Sequence, residues 1–141
     1  MTRSDQLARN WLAQAQNDFL FAQSALRERF YAQCCFICQQ VAEKALKAIL
    51  LQRKQTLIFT HSTRELCRVL RINGALLKAA SYLDQYYVTG RYPNALPGGV
   101  PFASFHVDQA KGAVRDANMF LKKARSLVRT KSPAKSTSKK R

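Results

Sequence analysis

Chain breakers are scarce in this sequence. It has four prolines and five glycines, and Pro93, Pro97, Gly98 and Gly99 account for four of those nine. Long stretches without a breaker favour helices over turn-rich β architectures. Acids are few beside the bases, with 8 Asp and Glu against 24 Lys and Arg, for a formal net charge of +16. No two of Asp5, Asp18, Glu28, Glu43, Glu65, Asp84, Asp108 and Asp116 lie close in sequence, so a carboxylate metal cluster has no local support. Neither a P-loop string nor a dinucleotide fingerprint is present, and no motif calls for a cofactor. No run approaches the roughly 20 apolar residues of a membrane span. The start, MTRSDQLARNW, lacks the apolar stretch of a signal peptide. A cytoplasmic protein with reduced thiols and no membrane contact is the expectation.

What is present points to one helical core. The 141 residues are 47% hydrophobic, enough for a single domain. Leu7, Trp11, Ala15, Phe19, Ala22 and Leu26 recur every three or four residues, which predicts a first helix over about 4–29, capped by Ser4. Phe36, Val41, Ala45, Ala48 and Leu51 predict a second over about 31–53, with a break near Phe30 and Tyr31. Ser62 and Glu65 have capping-box spacing ahead of a third helix at about 63–72, which Asn73-Gly74 stops. Leu76, Leu77, Ala80, Leu83 and Tyr87 mark a fourth at about 75–88. Asp108 is placed to cap a fifth, about 108–129, with Ala110, Ala113, Ala117, Phe120, Leu121 and Ala124 facing inward. The expected fold is all-α: an up-and-down antiparallel bundle of about five helices, with one long loop, 89–105, between the fourth and fifth. The bundle spans 1–129; the remainder, 130–141, reads as a basic disordered tail that is a solubilising segment or a nucleic-acid-binding arm. Without that tail's five cations the bundle still carries +11, which raises the local concentration of polyanions around it.

The four cysteines, Cys34, Cys35, Cys38 and Cys67, include a Cys-x-x-Cys spacing. It sits inside an apolar helical stripe, has no second pair, and so reads as buried thiols packing as small hydrophobes.

Gln40, Glu43, Lys44 and Lys47 fall at i, i+3, i+4 and i+7, one polar ridge on an otherwise apolar helix. The ridge is either a solvated face, its Glu43–Lys47 pair worth only a few tenths of a kcal/mol, or a row of donors whose lysines meet phosphate. Asp84, Tyr87 and Arg91 share a face at i, i+3 and i+7, and Tyr92 and Pro93 follow. Here Asp84 is placed to hold the Arg91 guanidinium, as a structural latch or as support for bidentate phosphate recognition. Tyr82, Tyr86, Tyr87 and Tyr92 are core rings or stacking platforms for a base.

The stretch Tyr31-Ala32-Gln33-Cys34-Cys35-Phe36-Ile37-Cys38-Gln39-Gln40-Val41-Ala42-Glu43-Lys44-Ala45-Leu46-Lys47-Ala48 resembles the second helix of HEPN domains. His61-Ser62-x-x-x-Leu66, Leu83-Asp84-x-x-Tyr87-Val88-x-x-Arg91-Tyr92-Pro93 and Asp108-x-Ala110 resemble later segments of the same family, in order, over about 5–129. The resemblance implies a dimerising helical bundle. It also implies a small nucleotidyltransferase as partner, in pairs that look like toxin–antitoxin modules, with nucleotide or RNA as ligand. Some members are metal-independent RNases with an arginine and a histidine about four to six residues apart, the histidine serving acid–base chemistry and the arginine the phosphorane charge. This sequence departs from that spacing: fourteen residues separate Arg91 from His106, and seven separate Arg53 from His61. The catalytic candidates are therefore Arg91 with His106 or His61, beside a non-catalytic binding reading that uses Lys44, Lys47 and Arg91. Nonspecific nucleic-acid binding through the basic surface is the third reading.

Overall fold

The computed structural model describes residues 1–129; the tail predicted at 130–141 lies outside them. The described chain is all-helical. Helices α1 (Arg3–Arg27), α2 (Tyr31–Gln52), α3 (Thr63–Val69) and α4 (Ala75–Asp84) are followed by three shorter or later ones. These are α5 (Tyr86–Thr89), α6 (Pro101–Ser104) and α7 (Val107–Leu127), with a 3-10 turn at Pro93–Ala95.

α2 is the central element. It packs on α1 and α7 along its length and touches α3, α4, α5 and α6. That explains why its apolar stripe is so wide: residues from Val41 to Leu51 are buried on nearly every face. The flanking helices meet it through small side chains. Ala8, Ala15 and Ala22 on α1 and Ala110, Ala117 and Ala124 on α7 are fully buried, which lets the backbones approach closely. All four cysteines lie in this core at 0% exposure. Burial pushes the Cys35 and Cys67 thiols up to about 12. Because all four thiols are sealed from solvent, the folded protein should react with no thiol reagent at pH 8, and all four cysteines should react in denaturant. A single fast-reacting thiol in the native state would contradict the packing.

How the chain turns without glycine is visible at three helix ends. Arg29, Lys54 and Arg71 each take a left-handed conformation, with φ of 68°, 60° and 60°. In each case the next residue's N–H reaches back to the third-last helical carbonyl: Phe30 to Ala25, Gln55 to Leu50, Ile72 to Cys67. These are Schellman ends with a basic residue where glycine is usual, and the cation sits favourably at the helix C-terminus.

Several predicted boundaries move. The cap of α1 is Thr2, not Ser4. Thr2 Oγ1 accepts from Asp5 N–H, and the Asp5 carboxylate accepts from Thr2 N–H, both at 3.1 Å. Asp5 is the residue three past the cap, so it can reach back as Ser4's partner would not. It is also buried and accepts from Lys54 and Gln52, at 2.8 and 3.0 Å, which ties α1 to the end of α2. The Lys54 hydrogen bond chiefly holds the Asp5 carboxyl well below the usual carboxylate range. The predicted fourth helix is two, α4 and α5, divided at Gln85. The loop 89–105 is not structureless, since Pro93 and Pro101 each start a short helical turn, where their missing N–H and fixed φ fit. At α7 the cap is His106, whose N–H donates to Gln109 Oε1 at 2.8 Å; Asp108 sits in the first turn instead.

Candidate functional site

The predicted site residues gather around α2, α3 and α5, though not in the pairs expected. Gly90 sets the geometry. A Cβ there would come within 3.1 Å of the Ala32 carbonyl oxygen and 3.2 Å of Phe36 Cβ, so only glycine lets α5 close against the start of α2. That contact delivers Arg91 onto α2's aromatic residue. The Arg91 guanidinium carbon lies 4.4 Å from the Phe36 ring centre, 4.6 Å from Tyr87 and 4.9 Å from Tyr92. Its Nε donates to the Tyr87 carbonyl at 2.8 Å. The side chain is exposed, and among the described residues no carboxylate forms an ion pair with it. Three rings and one hydrogen bond thus fix a cation whose outer N–H groups remain available.

Asp84 does not hold Arg91. It accepts from Ser62 Oγ (2.9 Å), Thr63 Oγ1 (2.6 Å), the Thr63 N–H (2.9 Å), the Arg64 N–H (3.1 Å) and Gln39 Nε2 (3.3 Å). The first two N–H groups of α3 have no intrahelical acceptor, and a carboxylate from the end of α4 answers them better than an arginine would reward it. Ser62 remains the cap, accepting from Glu65 N–H, but the predicted capping box does not close: the Ser62 N–H donates to Thr60 Oγ1 at 3.1 Å, and the Glu65 carboxylate accepts from the Thr60 hydroxyl at 2.8 Å.

The ridge on α2 is partly interior. Glu43 and Lys47 are only 4% and 7% exposed and form an ion pair at 2.9 Å. Lys47 Nζ also lies 5.6 Å from the centre of the Trp11 ring. Lys44 pairs with Asp18 of α1. Gln40 donates to Gln39 Oε1 at 2.7 Å and to Glu43 at 3.3 Å. Both lysines are thus engaged by acids, and neither touches Arg91.

His61 links the two groups. Its Nδ1 is 3.3 Å from both Glu43 oxygens, and its ring stacks on Tyr87 at 4.9 Å with an 18° tilt. The His61 side chain is 55% exposed, so its second nitrogen is reachable. A pocket of about 280 Å³ opens beside it, lined by His61, Ser62, Asp84, Tyr87 and Val88. Of the two histidines, His61 shares Tyr87 with Arg91, whereas His106 caps α7 through its backbone N–H, with an exposed side chain. Tyr82 and Tyr92 are about half exposed, and Tyr86 packs edge-on against Phe105 at 5.6 Å.

Sequence reasoning missed Gln39, Trp11 and Phe36. Gln39 is fully buried and donates to the His61 carbonyl at 2.7 Å, so it sets the level at which His61 enters the site. The Gln39-Gln40 doublet inside an apolar stripe was its signal, a polar pair with nowhere to go but a buried network.

The HEPN domain family matches this chain over residues 8–131. A crystal structure from Thermus thermophilus superposes with a TM-score of 0.76 at 35% identity, covering 84% of this chain and 96% of that one. The crystal structure of an archaeal HEPN homologue superposes with a TM-score of 0.76 at 28% identity, covering 92% and 100%. No curated protein matches significantly. The match runs from α1 to the end of α7 and takes in the Gln39–Lys47 ridge, His61 and the Asp84–Arg91 segment, and by it this chain belongs to the HEPN domain family.

Proposed function

We propose that this protein is a phosphate-recognising binding module. It takes a nucleotide or an RNA end at Arg91, with Tyr87, Tyr92 and His61 beside it. It works as a homodimer with a small nucleotidyltransferase, in a toxin–antitoxin-like pair. The observation that carries the ligand reading is the Arg91 guanidinium, stacked among three rings and paired with no carboxylate among the described residues. A fixed fork of donors next to aromatic faces suits a phosphate attached to a base. The dimer and the partner enzyme are what membership of the family supports.

In this reading Gln39, Glu43 and Asp84 are scaffolding that holds His61 and α3 in place. Lys44 and Lys47 fix α2 to α1 and Trp11 rather than receiving phosphate. ATP or another nucleotide should raise the melting temperature of the purified protein. At a hundredfold excess over Kd the gain is about 2.7 kcal/mol, roughly 10 °C for a domain of this size. Arg91→Gln should abolish the shift while leaving the unliganded melting temperature nearly unchanged. Equal shifts in both proteins would remove Arg91 from the site, and no shift with any nucleotide or 5′-phosphorylated RNA would remove the reading. A nucleotidyltransferase encoded beside this chain should co-purify with it when the two are co-expressed.

One observation favours a second reading, metal-independent RNA cleavage. His61 is oriented by a buried carboxylate and shares Tyr87 with Arg91, an arrangement able to move a proton beside a developing phosphorane. Cleavage in EDTA that His61→Ala and Arg91→Gln both abolish would establish it.

A further inference from the structure

A second basic feature lies on the opposite partner of α2, where α1 meets α7. The groove there encloses about 450 Å³ and is lined by Arg9, Leu12, Ala13, Gln16 and Arg125. It has two arginines, one amide and no acid. Among the described residues every ion pair is made by a lysine or by His61, and none by an arginine. Among the described residues Arg9 has only the Met1 sulfur as a polar contact, and sulfur is a weak acceptor. Two guanidinium groups held on one groove repel each other, and a bound anion relieves that repulsion.

The surroundings specify a long anion rather than a small one. Arg129 lies at this end of the bundle, its N–H donating to Gln52 at 2.8 Å. The sequence then runs directly on through Lys131, Lys135, Lys139, Lys140 and Arg141 with no acid. A free phosphate would meet the two groove arginines alone. A polymer of phosphates meets the groove and has charge left over for the cations that follow Arg129 in the sequence.

We infer that the Arg9–Arg125 groove binds the phosphodiester backbone of a single-stranded nucleic acid, as a site separate from Arg91. Arg9 and Arg125 contact phosphate oxygens through their forked N–H groups, Gln16 adds a donor, and Leu12 and Ala13 form an apolar floor. The site positions a strand and reads no sequence.

The test uses the full chain and a fluorescein-labelled oligouridine of about 20 nucleotides, with anisotropy measured across a salt series. Each phosphate contact on a single strand contributes about 0.7 to the slope of log affinity against log salt. The double variant Arg9→Gln/Arg125→Gln should lower that slope by about 1.4. With counterion release as the whole effect, affinity falls about 60-fold at 0.05 M salt and about threefold at 0.5 M. Glutamine is a good helix former, so circular dichroism and melting should be unchanged. The exposed pair Arg27→Gln/Arg68→Gln removes the same charge away from the groove and should shift the slope by a fraction of that amount. An equal loss in both pairs reduces the groove to bulk charge and overturns the site, as does wild-type binding by the groove variant. Inorganic polyphosphate raising the melting temperature through Arg9 and Arg125 while oligouridine does not bind would assign the groove to another polyanion and overturn the inference. Polyglutamate binding as strongly as RNA would reassign the groove to an acidic protein and overturn the inference. Because Arg91→Gln leaves both arginines of the groove in place, its effect and the groove's are measured apart.

Discussion

Asp84→Ala should lower the melting temperature by about 12 °C, more than any other change at the α3–α4 junction. One carboxylate there accepts from two backbone N–H groups at the start of α3, from the Ser62 and Thr63 hydroxyls, and from Gln39. Hydrogen bonds to a charged group are worth about 1.5–3 kcal/mol each, and they do not add, because water and neighbouring groups take over part of the loss. A net loss of about 3 kcal/mol is the reasonable figure. For a domain of this length each kcal/mol moves the midpoint by about 4 °C. The loss is concentrated because α3 is only seven residues long and cannot sustain itself without tertiary support. Thr63 is fully buried but keeps the Ala80 carbonyl as a second partner at 3.1 Å, which limits the damage. Asp84→Asn retains acceptor capacity on one oxygen and should lose about half as much. Calorimetry of the two variants decides it: an alanine variant melting within about 2 °C of the parent would show that Asp84 is not what secures α3.

The helices were largely legible because their signal is local. The stripes predicting 4–29, 31–53 and 108–129 became Arg3–Arg27, Tyr31–Gln52 and Val107–Leu127. A period of 3.6 needs only the residues of one element to be visible. The ends were harder, since Arg29, Lys54 and Arg71 carry no glycine to announce a left-handed turn. The site was legible as membership but not as pairing. The predicted Glu43, His61, Asp84, Tyr87 and Arg91 do lie near one another. Yet Asp84 answers α3 rather than Arg91, and Lys44 answers Asp18; the Glu43–Lys47 pair was readable from its i, i+4 spacing, but its burial against Trp11 was not. Partners 21 and 26 positions apart, as Asp84–Thr63 and Lys44–Asp18 are, leave no periodic trace in a single sequence. A spacing of i, i+7 says that Asp84 and Arg91 can share a face; it does not say which donor is nearer once the backbone breaks at Gln85.

Glu43→Ala should cost about 4 kcal/mol, and Glu43→Leu/Lys47→Leu much less. On a solvated helix the pair would contribute a few tenths of a kcal/mol. Here both members are more than nine-tenths buried, so removing the acid strands an ammonium in the interior, which costs about 3–5 kcal/mol. Removing both charges removes the desolvation penalty along with the attraction, and such replacements are often neutral or stabilising. The cycle completed by Lys47→Leu should give a coupling energy above about 2 kcal/mol. Trp11, the only tryptophan, lies against Lys47 and reports unfolding by fluorescence. If the single and double variants are equally destabilised, the pair is not insulated from water as its burial requires. The double variant also separates the two functional readings. It stays folded, keeps Arg91 among Phe36, Tyr87 and Tyr92, and leaves His61 without its carboxylate. A nucleotide-dependent thermal shift should survive it, because Arg91 alone supplies the charge. RNA cleavage in EDTA should not survive it, because an imidazole with nothing on Nδ1 is no longer held in one orientation beside the phosphate.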